Sequence, residues 1–181
     1  MSNMVVGLME TAMKEREQTA LVREKLARNP RQMTMLLAQQ LQIPEEVVVR
    51  ALPEGGSVEL NLARWDELLA AFADLGAVHV IVSSGAATIE SVGAFGGYSS
   101  RGGFFNVQSG SLDMHIRQPR IQSAFAVRKP SHFDGHQTLS FQFFDDDGAA
   151  AFKVFLTFGG QAPGAEREQQ FEAIVQEFGL R

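Results

Sequence analysis

From Val78 onward, apolar and polar residues alternate along this chain with a period of two residues. This period is typical of β-strands that bury one face and expose the other. Glycine or proline interrupts the pattern every few residues, as expected for short strands joined by turns, so the pattern predicts a largely antiparallel sheet. The predicted strands are residues 78–83, 87–92, 104–108, 112–117, 121–129, 138–144 and 151–156, and residues 58–62 are compatible with a further short strand.

Helical spacing precedes this alternation and returns at the end of the chain. Apolar residues three or four positions apart predict helices at residues 5–27, 33–41, 44–52, 63–75 and 165–178. The turn cluster at residues 53–57 is the best candidate linker. We therefore expect one structural domain made of an N-terminal helical segment, residues 1–53, and a sheet core, residues 58–181. Helices followed by strands and a final helix predict an α+β fold.

Charge argues against a nucleic-acid partner. Sixteen basic and 21 acidic residues give a net charge of −5, whereas proteins that bind phosphate backbones usually cluster Lys and Arg. The two helices at 33–41 and 44–52 resemble a helix-turn-helix unit. However, Glu45 and Glu46 would repel phosphates, and Arg50 is the only cation on the second helix. We interpret the pair as a helical packing module.

The rest of the composition limits the kinds of active site that the protein can have and the compartment in which we expect it. The sequence contains no cysteine, which excludes a disulfide framework, a thiolate metal site and a cysteine nucleophile. It also lacks a nucleophile-elbow, a His-Glu-x-x-His helix and a P-loop, so we expect no enzyme. Residues 1–16 carry Glu10, Lys14, Glu15 and Arg16 and have no long apolar run. This is typical of neither a signal peptide nor a membrane span, so we expect a cytoplasmic protein without a membrane partner.

A glycine-rich stretch, residues 93–103, leads into the strongest cluster of candidate ligands. Its glycines predict an irregular loop without a regular element. Beyond it, His115 alternates with apolar residues and is predicted to point away from the core. An imidazole, a phenol, guanidinium groups and flat rings together suit haem, which needs an iron ligand, cations for its propionates and apolar contacts for its faces. The residues that supply these groups are Tyr98, Arg101, Phe104, Phe105, His115 and Arg117.

The other candidate sites have plainer interpretations. His79 lies on a predicted strand and is either a half-buried sheet histidine or part of a pocket. His132, Asp134 and His136 offer nitrogen and oxygen ligands for zinc, but a surface turn is favoured because no further close ligand is visible. The aspartates at 145–147 lack the ligand spacing of an EF-hand and are interpreted as a hairpin turn. His115 itself would also suit a solvated sheet face with an internal ion pair.

Several short stretches, in this order and spacing, resemble the ChuX/HutX family of cytosolic haem-utilisation carriers. The resemblance begins near Ala38 and extends to the C-terminal helix. The matching stretches are residues 47–53, Trp65-Asp66 followed by Gly76, residues 101–107, residues 115–117, Phe143-Phe144, Gly148-Ala149 and residues 153–156. The resemblance implies a homodimer with curved antiparallel sheets like those of one half of the larger ChuS/HemS proteins. It implies that the sheet core, residues 58–181, carries haem and that the protein passes it to a haem-degrading enzyme.

The resemblance also assigns roles to the candidate residues. It implies that His115 is the iron ligand, with Arg101 and Arg117 for the propionates and Phe104 or Phe105 against the ring. Tyr98 and His79 are the nearby substitutes. Positions at which the family tends to have histidine or tyrosine carry Ser83, Ser100, Gly102 and Phe104 here. Two further hypotheses stay open: the same fold binding another tetrapyrrole or acting as a dimeric partner module, and a haem-processing enzyme.

Overall fold

The computed structural model describes residues 2–180, with side chains from residue 12 onward; residues 1 and 181, at the ends of the two predicted segments, lie outside it. Five helices and nine strands follow one another in the predicted order. The helices are α1 (Ser2–Arg28), α2 (Thr34–Leu41), α3 (Glu45–Arg50), α4 (Trp65–Phe72) and α5 (Ala165–Phe178). The strands are β1 (Ser57–Glu59), β2 (Ala77–Ser83), β3 (Thr88–Ala94), β4 (Tyr98–Arg101), β5 (Phe104–Gln108), β6 (Asp113–Ile116), β7 (Ile121–Pro130), β8 (Gln137–Asp145) and β9 (Ala150–Phe155).

The strands form two antiparallel sheets, which confirms the predicted α+β fold. The larger sheet has six strands in the order β1-β7-β8-β9-β2-β3. The smaller sheet has three strands in the order β4-β5-β6. Because β3 lies at one edge of the large sheet and leads within four residues to β4, the small sheet continues from that edge.

The central strands of the large sheet are buried on both faces. In β7, Ala124 and Ala126 belong to one apolar cluster, whereas Phe125 and Val127 belong to a second. The first cluster includes α4, α5 and the small sheet, and it contains Trp65, which is 3% exposed as predicted for a core residue. The second cluster lies under α1, α2 and α3. The N-terminal helices therefore cover one face of the sheet.

The helix-turn-helix pair is packed as a structural module. Val48 and Val49 of α3 are fully buried in the second cluster. Arg50, the cation that would read bases, forms ion pairs with Glu46 at 2.7 Å and with Glu59 of β1 at 2.5 Å. These contacts occupy the guanidinium group and agree with the packing interpretation. None of the described helices combines the length and apolar character needed to cross a membrane.

Candidate functional site

The glycine-rich stretch contains a β-hairpin, which corrects the prediction that no regular element occupies it. Gly102 and Gly103 have φ angles of 64° and 80°. Two consecutive positive φ values are typical of a type I′ turn, whose twist matches that of the strands it joins. The turn connects β4 to β5 with Arg101 directly opposite Phe104. Glycine at these positions therefore allows the strand pair to form.

One row of residues crosses the solvent-facing side of the small sheet. The register places Ser99 of β4 opposite Asn106 of β5, and Asn106 opposite His115 of β6. The Nδ1 atom of His115 lies 2.7 Å from the Oδ1 atom of Asn106. The Nδ2 atom of Asn106 donates to the backbone oxygen and to the hydroxyl of Ser99, both at 3.2 Å. Asn106 is 6% exposed, whereas the His115 side chain is 56% exposed. The row therefore presents an accessible imidazole on a buried amide.

A second row supplies an aromatic ring and cations. Phe104 lies opposite Arg101 in the sheet, and the guanidinium carbon of Arg117 is 5.5 Å from the centre of the Phe104 ring. The rings of Phe104 and His115 meet edge to face with their centres 6.2 Å apart. Both arginines are exposed and lack a carboxylate partner among the described residues. The structure thus brings together four of the predicted site residues.

The outer nitrogen of His115 is open to a ligand. Its Nε2 atom is 3.7 Å from Oδ1 of Asp113, which is beyond hydrogen-bonding distance. That carboxylate oxygen instead accepts a hydrogen bond from Nε2 of Gln108 at 3.1 Å. An exposed, unbonded imidazole nitrogen beside an aromatic ring and two guanidinium groups can bind a metal ion that carries a flat, anionic organic ligand.

Tyr98 and Phe105 lie on the opposite face of the same sheet, away from His115. The Tyr98 hydroxyl donates to the backbone oxygen of Phe95 at 2.7 Å, and burial raises the pKa of its phenol well above the usual range. Phe105 is 6% exposed and packs edge to face on Trp65 with ring centres 5.5 Å apart. Period-two alternation separates these side chains from the solvent face. The structure therefore does not bring Tyr98 and Phe105 to the site.

His79 is also separate from the site. It lies on β2 of the large sheet, and its Nε2 atom is 2.8 Å from Oε2 of Glu90 on the neighbouring strand β3. Its ring stacks on Phe158 with centres 6.2 Å apart. A carboxylate already occupies the nitrogen that a haem iron would need, so His79 is a half-buried sheet histidine in this structure.

The two groups of residues considered as metal sites, residues 132–136 and 145–147, lie in turns. Asp134 accepts hydrogen bonds from the backbone N–H groups of His136 at 2.9 Å and Gly160 at 2.6 Å, and the first of these lowers its pKa most. Asp145 accepts from the N–H groups of residues 147 and 149 in the same way. The carboxylates of Asp145, Asp146 and Asp147 lie within 4.8 Å of one another, but Asp146 also binds Arg120 at 2.9 Å. The carboxylates of Asp134 and Asp145 thus stabilise loops, as the plainer interpretation predicts.

Asn106 is the residue that the sequence prediction omits. Its position in β5 gives the direction in which its side chain points but not the residue that faces it on β6. That partner is fixed by strand register, which a single sequence does not specify here. The signals in the sequence are its alternation with Phe105 and Val107, both buried, and its place in the stretch 101–107 that resembles the family.

The chain contains one copy of a unit of two antiparallel sheets, and this unit is that of a family of haem-utilisation proteins. The model of the family described as haem utilisation ChuX/HutX matches residues 58–174, and the chain belongs to this family. The intracellular heme transport protein HutX of Vibrio cholerae is 27% identical over 137 residues, which cover 75% of this chain and 70% of HutX.

Solved structures share the fold. A protein from Erwinia carotovora is 28% identical with a TM-score of 0.77, over 86% of this chain and 97% of that protein. The heme-binding protein ChuX gives 24% identity and a TM-score of 0.75 over 86% of this chain and 97% of ChuX. The heme-degrading enzyme ChuS of Escherichia coli O157:H7 gives 20% identity and a TM-score of 0.74, over 92% of this chain but only 47% of ChuS. The fold of this chain thus matches about half the length of that protein.

Proposed function

We propose that this protein binds haem as a cargo on the solvent-facing side of its small sheet and carries it in haem utilisation. His115 would bind the iron through Nε2, Arg101 and Arg117 would pair with the propionates, and Phe104 would pack against the porphyrin. The observation that carries this proposal is the exposed, unbonded Nε2 of His115 beside the Phe104 ring and two arginines without carboxylate partners among the described residues. Membership of the haem-utilisation family supports it.

An open site favours carriage over catalysis. A carrier must release its cargo, and a single axial bond on an exposed sheet face dissociates more readily than two bonds in a closed pocket. The relatives named for intracellular haem transport and haem binding agree with this role. We therefore infer a cytoplasmic, non-enzymatic carrier that delivers haem to a separate haem-degrading enzyme.

We also propose that the carrier is a homodimer. Strand β3 lies at the edge of the large sheet, so its outer side pairs with no other strand of that sheet among the described residues. Ile89 and Val92 on this strand are 72% and 53% exposed. Exposed apolar side chains on an open strand edge are typical of a surface that pairs with a second copy.

Titration with haemin tests the carriage proposal. We expect a saturable shift of the Soret band at one haem per chain, and loss of that shift in His115→Ala. The matched control is His136→Ala, since His136 lies in an exposed turn, and it should bind as the natural chain does. No saturable shift, or an unchanged shift in His115→Ala, would contradict the assignment.

Two further results would point to the alternative functions. Preference for biliverdin or iron-free porphyrin would indicate another tetrapyrrole cargo. Release of a linear product on addition of an electron donor would indicate an enzyme.

A further inference from the structure

We infer that Asn106 is a positioning residue that holds His115 in the tautomer with its proton on Nδ1, so that Nε2 offers its lone pair to the ligand. This inference deepens the proposed function and rests on it for the identity of the ligand. The tautomer of the His115 imidazole, in contrast, follows from contacts within the protein alone.

The orientation of the Asn106 amide is determined by Ser99. One end of the amide faces the backbone carbonyl oxygen of Ser99 at 3.2 Å, and a carbonyl oxygen can only accept hydrogen bonds. That end must therefore be the NH₂ group. The flipped amide would place two acceptors against each other, and at 6% exposure little water is present to separate them.

The amide orientation in turn determines the proton on His115. With the NH₂ group directed to Ser99, the carbonyl oxygen Oδ1 faces Nδ1 of His115 at 2.7 Å. An amide oxygen can only accept, so Nδ1 carries the hydrogen and donates it. In a neutral imidazole the other nitrogen then has a lone pair, and the bond made by one nitrogen sets the state of the other. Nε2 is the nitrogen that faces solvent.

This arrangement resembles the support that metal-binding histidines have in general. Such a histidine donates its second N–H to a fixed oxygen, which sets the tautomer and the ring orientation. Here the fixed oxygen belongs to an amide that is held by a backbone carbonyl across a neighbouring strand. The tautomer and orientation of His115 therefore depend on all three strands of the small sheet, and both are set before any ligand binds.

The tautomer can be measured without haem. In ¹⁵N-labelled protein at about pH 9, where an ordinary imidazole is neutral, long-range ¹H–¹⁵N correlations report which nitrogen of His115 is protonated. We expect protonated Nδ1 in the natural chain and a mixture of tautomers, or protonated Nε2, in Asn106→Leu. Asn106→Asp keeps an acceptor toward His115 and should restore protonated Nδ1, although its other oxygen then faces the Ser99 carbonyl without a hydrogen bond. Gln122→Leu, which removes an exposed amide on β7 of the large sheet, is the control and should match the natural chain.

Haem affinity provides the second measurement. Asn106→Leu should weaken haem binding roughly 10- to 100-fold, and Asn106→Asp should recover part of the loss. Protonated Nε2 in the natural protein, or an unchanged tautomer in Asn106→Leu, would overturn the inference. If the natural protein has protonated Nδ1 but shows no Soret shift with haemin, the positioning role stands and the proposed function fails. The two results are therefore distinguishable.

Discussion

Glu45 and Lys153 form a buried ion pair, with 2.5 Å between Oε1 and Nζ, between the N-terminal helices and the large sheet. Glu45 is 7% exposed, and its Oε1 also accepts a hydrogen bond from the Thr34 hydroxyl at 2.5 Å. The pair connects α3 to β9 across 108 positions of the sequence. Together with the ion pair between Arg50 and Glu59 of β1, it joins the helix pair to the large sheet by polar contacts.

Removing one member of this pair should destabilise the protein strongly. Lys153→Met leaves the Glu45 carboxylate buried without its cation, and we expect a loss of about 3 kcal/mol in the free energy of unfolding. Urea denaturation followed by circular dichroism measures the change. Arg28→Met is the matched control, because Arg28 pairs with Glu24 at an exposed position and should lose less than about 1 kcal/mol. Equal losses in the two variants would contradict the role of burial.

Lys129 should make stability rise with pH in the alkaline range. Burial, assisted by the charge of Lys153, lowers the pKa of Lys129 from 10.5 to about 8 in the folded protein. Between these values the unfolded chain binds more protons than the folded chain, so unfolding becomes less favourable as pH rises. Below about pH 8, the charged ammonium opposes folding in full.

Substitution of Lys129 isolates this effect. Lys129→Met should be more stable than the natural chain at pH 7 by about 1–2 kcal/mol, after allowance for solvent screening at its partly exposed side chain. The difference should shrink toward pH 10. Lys14→Met, at an exposed position of α1, should show no such pH-dependent difference. A difference for Lys129→Met that is constant from pH 7 to pH 10 would contradict the prediction. Urea midpoints at several pH values provide the measurement.

Gly97 should be irreplaceable in the connection between β3 and β4. Its φ is +71°, and an added Cβ would lie 1.8 Å from the backbone oxygen of Gln108. We expect Gly97→Ala to lose about 2 kcal/mol or more in thermal or urea unfolding, because strain and a backbone clash combine. Gly110→Ala is the control, since a Cβ there meets no atom within 4 Å. A Gly97→Ala variant as stable as Gly110→Ala would show that this connection relaxes easily.

Arg117 should contribute to haem affinity through its charge. Arg117→Ala removes a cation that lies over the Phe104 ring, and we expect haem to bind about fivefold more weakly, with a reduced dependence of affinity on salt. Arg16→Ala, an exposed arginine on α1, should leave affinity unchanged. The measurement is a haemin titration at low and high ionic strength. Identical salt dependence in the natural chain and in Arg117→Ala would exclude a propionate contact at this residue.

Ile89 should matter for association of two chains. Ile89→Lys places a charge on the exposed part of the β3 edge, which should disfavour pairing with a second copy. We expect light scattering to report a dimer for the natural chain and a monomer for this variant. Leu36→Lys, at an exposed position of α2, should remain a dimer. A dimeric Ile89→Lys variant would place the interface elsewhere.

Much of the fold follows from sequence periodicity. The change from helical spacing to alternation predicts every helix and all of the strands except β4. The exception has a physical cause: glycine weakens any local preference, so Gly102 and Gly103 are compatible both with an irregular loop and with a tight turn between paired strands. Only pairing with β5 selects the turn.

For the candidate site, too, the sequence predicts one part and the tertiary structure determines the rest. Alternation along β6 is enough to direct His115 to solvent, and the structure agrees. The sequence prediction names both Phe104 and Phe105, since either ring suits the ligand, and it places Tyr98 and Arg101 in an irregular loop, where alternation assigns no face. Pairing of β4 with β5 aligns Arg101 with Phe104, and the opposite face buries Phe105 and partly buries Tyr98.

By itself, the sequence determines the α+β class, the order of the elements and the outward direction of the His115 imidazole, since these depend on local period and composition. The tertiary structure alone decides that Asn106 lies beneath that imidazole and that Ser99 orients the amide, because strand register joins residues that are distant in sequence. The direction of a side chain is a local property, whereas its hydrogen-bond partner is set by packing of the whole sheet.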